Sequence, residues 1–205
     1  MKNRILTFLA PALLLVALGC SSTKFTTAEK AEDVGRLDLA GKKVAALVIH
    51  ADLTTRIEAE NVLAEELTKR GMVGVAVHTL LPAADLKDAA KTRAAIKQAA
   101  PALVVTRLVG VKSETHFTPI FDSHHYSYLG PYYDYGFQSV HTPGYYDTYQ
   151  TYGVETLCYR TSDEKLVWSG ASETFAPGST KEMVRSLVNE AGKVMKKQGL
   201  IAIKK

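Results

Sequence analysis

The run KKVAALVIH, at residues 42–50, is the strongest constraint on the fold. Its six middle residues, 44–49, are all apolar. A strand with one wet face alternates apolar and polar side chains, because successive side chains point to opposite faces; an unbroken run marks a strand buried on both. The next residues supply cover for it. In TTRIEAENVLAEELTKRG, Thr55 and Glu58 have capping-box spacing, and Ala59, Val62, Leu63 and Leu67 recur at helical intervals. Gly71 is placed to end that helix.

The alternation continues. Residues 73–79 read as a second strand, and 86–100 as a second helix with Asp85 as N-cap and Pro101 beyond its end. Residues 103–111 read as a third apolar strand that extends toward Phe117. Further on, YGVETLCYRTSDEKLVWSGASETF reads as a hairpin, with strands over 149–160 and 166–175 and a turn at 161–165. Val154, Thr156, Cys158 and Arg160 share one face of the first of these, and Glu155, Leu157 and Tyr159 the other. Ser179 and Glu182 make a second capping box. Val184, Leu187, Val188, Ala191, Val194 and Met195 form the apolar side of the last helix, which Gly199 stops. Leu200, Ile201 and Ile203 are expected to dock the tail.

The order is β-α-β-α-β, a long insertion, then β-β-α. Two crossovers through helices require parallel pairing with right-handed connections, and the hairpin adds antiparallel strands. The expected fold is α/β in the mixed α+β sense: one domain over residues 41–205, built on a mixed sheet covered by helices, with the insertion at about 118–148.

Most of the insertion falls in the stretch HHYSYLGPYYDYGFQSVHTPGYYDTYQTY, residues 124–152, which holds nine of the ten tyrosines and three of the six histidines. Loops beyond about 12–15 residues in a compact domain are usually functional or disordered. Three readings fit. His116, Asp122, His124, His125 and His141 offer imidazole and carboxylate ligands to a metal, although the spacing matches no known pattern. The segment could equally be a mobile excursion. The favoured reading is a contact surface, because tyrosine gives large rigid area and a hydroxyl at low entropic cost. Its binding residues are then Tyr126, Tyr128, Tyr132, Tyr133 and Tyr135, followed by Tyr145 and Tyr146. A protein or a glycan would suit such a surface.

The amino terminus gives an address. MKNRILTFLAPALLLVALGCSS has a positive start at Lys2 and Arg4, an apolar stretch too short to span a bilayer, and small residues after it. Residues 1–19 are expected to be a signal peptide. Val16-Ala17-Leu18-Gly19-Cys20 resembles a bacterial lipobox, with Ala17 and Leu18 in swapped order. The resemblance implies a diacylglyceryl and acyl chain (palmitate, for example) on Cys20 and, with Ser21 after the cysteine, the periplasmic face of the outer membrane; the polar residues that follow make 20–40 read as the lipidated cysteine and a tether. No other cofactor is expected. Removing Lys2 and Arg4 lowers the formal charge from +4 to +2, and no Lys/Arg cluster stands out, so nucleic acid is not an expected partner. With Cys20 lipidated, Cys158 has no cysteine to pair with and reads as a small buried apolar residue.

The lipobox, AEELTKRGM at a helix end, the strand LVVTRLVGV, and YGVETLCYRTSDEKLVWSGASETF before a last helix ending in GLI together resemble a family of small bacterial envelope lipoproteins of unassigned reaction. The layout is also similar to curli-secretion-type and TolB amino-terminal-type periplasmic domains. The resemblance implies an assembly or scaffolding part of an envelope complex, partnered by an envelope protein or by itself. Fold alone does not fix function.

Catalytic signatures are absent from the sequence: no CxxC, HExxH, GxSxG or glycine-rich phosphate loop. No enzyme activity is expected. His50 and Asp52, just past the end of the first apolar strand, and His78, at the end of the next, occupy the place where open α/β sheets hold ligands. The simpler reading has them solvate strand ends and cap the following helix.

Overall fold

The computed structural model of the chain describes residues 22–118 and 145–201. Six strands form one mixed sheet: β1 (Ser22–Lys30), β2 (Lys43–Ile49), β3 (Val73–Ala76), β4 (Ala102–Thr118), β5 (Tyr145–Arg160) and β6 (Lys165–Phe175), in the spatial order β1-β6-β5-β4-β2-β3. Three helices pack on it: α1 (Leu53–Lys69), α2 (Ala89–Ala99) and α3 (Thr180–Lys197). As the crossovers required, β2 is parallel to both β3 and β4, while β4, β5, β6 and β1 pair antiparallel.

The apolar run at 44–49 lies in β2 and is covered on both faces except at its last residue, Ile49, which is 52% exposed. Val44, Ala46 and Val48 face α1 and α3, where Leu63, Leu67, Val184 and Val188 complete the core. Ala45 faces α2 with Val77, Ile96 and Ala100. Beyond β2 the α2 side of the sheet is open, and there β5 and β6 alternate in burial as a half-wet antiparallel sheet should. Val154, Thr156 and Cys158 are the buried side of β5.

Two glycines let elements approach closely. A Cβ on Gly74 would lie 2.0 Å from the Ala64 carbonyl oxygen, so β3 rests directly on the α1 backbone. A Cβ on Gly170 would meet the Trp168 and Phe25 rings, which pack edge-on with centroids 5.5 Å apart.

Three local expectations are corrected. Residues 22–30 are not tether: they form β1, the outer strand against β6. Trp168 holds β1 there. It is buried, its Nε1–H donates to Gln198 Oε1 at 2.8 Å, and Gln198 Nε2–H donates to the Ala28 carbonyl at 2.9 Å. At the start of α1 the cap is not Thr55 but Asp52, as the simpler reading of the strand end had it; its carboxylate accepts from the Thr55 N–H at 2.7 Å and from the Thr55 hydroxyl at 2.7 Å. A carboxylate at an N-cap also meets the positive end of the helix dipole, so Asp52 outcompetes Thr55 for that position. Likewise α2 begins after Asp88, which accepts from the Ala90 and Lys91 amides, whereas Asp85 pairs with Lys91 Nζ at 2.5 Å. At the third cap Ser179 Oγ accepts from the Glu182 N–H as expected, while the Glu182 carboxylate accepts from the Gly178 N–H, one residue before the cap. At the carboxyl end, Leu200 is buried and Ile201 bridges to Leu37, while Ile203 lies outside the described residues.

Candidate contact surface

The long insertion leaves the sheet on a two-stranded ribbon. β2 stops pairing with β4 at Arg107, and β6 stops pairing with β5 at Thr151. β4 and β5 continue together, from Gly110 opposite Gly153 to Thr118 opposite Tyr145. From Ser113 opposite Gln150 the two strands run alone, and at about 3.4 Å per residue this ribbon reaches roughly 15–20 Å past the end of β6. A bulge at Val109 marks its base. Bulges add local twist and re-aim a strand, which fits a ribbon that departs from its sheet.

The two faces of the ribbon differ. Cross-strand partners share a face, so Lys112, Glu114 and His116 lie with Thr151, Tyr149 and Asp147. On this face Lys112 Nζ lies 3.1 Å from Glu173 Oε1, His116 Nε2 lies 3.5 Å from Glu114 Oε2, and the rings of His116, Tyr149 and Phe175 run in series at 6.0 and 5.3 Å. The opposite face is uncharged: Val111, Ser113 and Thr115 stand against Tyr152, Gln150 and Thr148. There the Thr115 and Thr148 hydroxyls meet at 3.1 Å, and the Tyr152 hydroxyl donates to Gln150 Oε1 at 2.6 Å. Residues 109–116 are all exposed, so neither face of this stretch of β4 is covered.

Tyr145 and Tyr146, expected in the insertion, belong to β5; the Tyr146 side chain is 72% exposed. His116 is on the ribbon with Glu114, and among the described residues no three His, Cys, Asp or Glu side chains gather as a metal site. Tyr126, Tyr128, Tyr132, Tyr133, Tyr135, Asp122, His124, His125, His141 and Cys20 lie outside the described residues.

The strand ends hold a second polar cluster. His50 Nδ1 meets the Asp52 backbone N–H at 3.1 Å, not its carboxylate, which is committed to Thr55. The Thr55 hydroxyl and amide hold the Asp52 carboxyl below the usual carboxylate range. His78 is bound elsewhere. Glu60, fully buried on α1, accepts from the Val48 N–H, the His78 N–H and Arg56 Nε at 3.2, 2.7 and 2.9 Å, with His78 Nδ1 at 3.0 Å. Arg56 also donates to the Leu86 carbonyl. The cluster ties α1, β2 and the turns after β3 together, and every oxygen of Glu60 is occupied in doing so. Sequence reading missed Glu60 because a glutamate in a helix normally faces water; the one available sign was its place between Ala59 and Val62 on the apolar side.

Under α1 and α3 lies an apolar cavity of about 80 Å³ lined by Leu63, Val104, Leu187, Val188, Cys158 and Thr156 among others. Burial pushes the Cys158 thiol up to about 12, so it is an inert packing group.

No protein-family model and no curated protein sequence matches the chain. Among solved structures, a variant PelC dodecamer from Paraburkholderia phytofirmans is similar at 17% identity over 86% of this chain and 96% of that one, with a TM-score of 0.42. A second PelC dodecamer from the same organism shows 16% identity over 85% and 97%, with a TM-score of 0.40. Lipoprotein GNA1162 from Neisseria meningitidis is similar at 13% identity over 76% and 97%, with a TM-score of 0.36.

Proposed function

We propose that this chain is a lipid-anchored component of a bacterial cell envelope that assembles with protein through the β4–β5 ribbon and the tyrosine-rich segment it carries. In this reading Cys20 bears the lipid, the domain faces the periplasm from the outer membrane, and the protein works by contact rather than by catalysis. One observation carries it: β4 and β5 run on as a ribbon past the ends of β2 and β6, and β4 is wet on both faces over residues 109–116. Two strands alone are marginal in water, so a ribbon of this length needs further burial to be worth keeping. Its uncharged face of Val, Ser, Thr, Gln and Tyr suits a protein interface, where large aromatics and few charges are enriched. The commitment of Asp52 to capping and of Glu60 to four donors supports a non-catalytic role for the strand-end cluster.

The test is crosslinking and co-purification from membranes, comparing the full chain with one lacking residues 119–144. With a two-residue Asn-Gly turn in place of the deleted residues, both ribbon strands are kept intact. A partner that is recovered with the full chain and weakened or lost with the deletion supports the reading. Recovery of no partner by either chain contradicts it.

A further inference from the structure

The free edge of β4 has a charge pattern that inverts its sign when read backwards, and so is complementary to itself in an antiparallel pair. Beyond Arg107, β4 is paired on one side only, by β5; nothing among the described residues pairs with its other edge. An exposed edge of this length is a template for another strand, and natural proteins blunt such edges unless they use them. Here the side chains run Val111, Lys112, Ser113, Glu114, Thr115, with Lys112 and Glu114 on one face and Val111 and Thr115 on the other.

We propose that two copies of this chain pair antiparallel along this edge, about a two-fold axis through Ser113. The inference rests on the ribbon being a contact surface and names its partner. A two-fold axis normal to the sheet puts directly opposite residues on the same face. Centred on Ser113, it sets Lys112 of each copy opposite Glu114 of the other, and Val111 opposite Thr115. The neighbouring two-fold registers are penalised: centring on Lys112 opposes lysine to lysine, and centring on Glu114 opposes glutamate to glutamate. Like charges directly opposite destabilise a sheet pair. The charge order therefore selects one register of three. Within one copy Lys112 already reaches Glu173 and Glu114 reaches His116, so the paired edge extends an exposed ionic row rather than burying lone charges. The bulge at Val109 ends the pairable stretch at the base. Pairing joins two six-stranded sheets into one continuous sheet.

The register can be read directly by oxidation of the full chain purified in detergent. Opposed residues of an antiparallel pair have Cα atoms about 4.5–5.5 Å apart, within disulfide reach. S113C is expected to give a disulfide-linked dimer, and T148C, on β5, is not. K112E and E114K are each expected to weaken self-association in sedimentation by roughly tenfold, since each reverses two opposed pairs per dimer. The double variant K112E/E114K is expected to restore it, which a merely structural defect would not do. If S113C stays monomeric while the chain still co-purifies a different envelope protein, the self-pairing falls and the contact reading stands. If neither a dimer nor a partner is found, both fall. A dimer whose strength is unmoved by the charge reversals also overturns this pairing.

Discussion

The ring of Tyr149 lies 5.3 Å from that of Phe175, tilted by 33°, and so joins the ribbon to the last residue of β6. Phe175 pairs with Thr151 where β6 ends, so this contact sits where the sheet, already four strands wide beyond β2, narrows to two. Both side chains are exposed, at 37% and 43%. Their contact is expected to stiffen the ribbon rather than to stabilise the domain. A double-mutant cycle of Tyr149→Ala and Phe175→Ala should give a coupling of about 0.5–1.5 kcal/mol. Amide exchange at residues 110–116 should speed up in either single variant while the β2 amides keep their protection. Equal loss of protection in both regions would show that the contact belongs to the global fold.

Removing Glu60 should be far more damaging. Glu60→Ala leaves the Val48 and His78 amides without their acceptor and the mostly buried Arg56 Nε without its counter-charge. Breaking a buried pair from one side costs about 3–5 kcal/mol. Chemical denaturation should show a loss of that size, with Glu60→Gln losing less because the amide oxygen still accepts. A loss below about 1 kcal/mol in Glu60→Ala would mean that the cluster is not a structural node.

Thr156 points the other way. It is 3% exposed, and its hydroxyl has no hydrogen-bond partner among the described residues. Its cross-strand neighbour Thr106 and the apolar cavity lining surround it. Thr156→Val keeps the shape and removes the buried polar atom, so it should stabilise the domain by roughly 1 kcal/mol, read as a rise in denaturation midpoint. Destabilisation would show that the hydroxyl is satisfied.

Acid should loosen the contact between α1 and α3. The Glu66 side chain is 7% exposed; burial opposes its charge, but hydrogen bonds from Arg70 and Lys69 overcome that and hold its carboxyl below the usual range. Arg185 of α3 reaches the same carboxylate at 3.3 Å. A group whose folded pKa is lowered adds stability above its unfolded value, and that stability is lost as pH falls through the folded one. Stability should therefore drop as pH falls below the ordinary glutamate range, about 4.3. Glu66→Gln should show a shallower drop over that interval and lower stability at neutral pH. Identical acid profiles would refute the assignment.

The sheet was legible where physics leaves few choices. The unbroken apolar run at 44–49 had to be buried on both faces, and the parallel order of β2, β3 and β4 followed from the helices between them. The capping box at Ser179 was readable because no competing acid precedes it. At α1 the cap went to Asp52, three residues upstream of Thr55 and already legible as a strand-end cap, and at α2 it went to Asp88, three residues downstream of Asp85.

β1 was hidden by its composition. STKFTTAEK carries one large apolar residue, Phe25, and its partners Trp168 and Gln198 lie more than a hundred residues away. An edge strand with charges on its wet face looks like a tether until its partner is known. The ribbon was half visible. Lys112, Glu114 and His116 alternate with Val111, Ser113 and Thr115, a period-two pattern that predicts a strand with two unlike faces. That both faces of this stretch stay exposed depends on where β2 and β6 stop, and no local pattern encodes that.

The most direct measurement places a photo-crosslinking residue at single ribbon positions in cells, at Val111 and Gln150, with Ser169 on the open face of β6 as the comparison site. If the ribbon is the contact surface, Val111 and Gln150 should each give discrete crosslinked products, either a dimer of this chain or a conjugate with an envelope protein, and Ser169 should give none. Products from Ser169 alone would contradict the account and move the contact to the open face of the sheet.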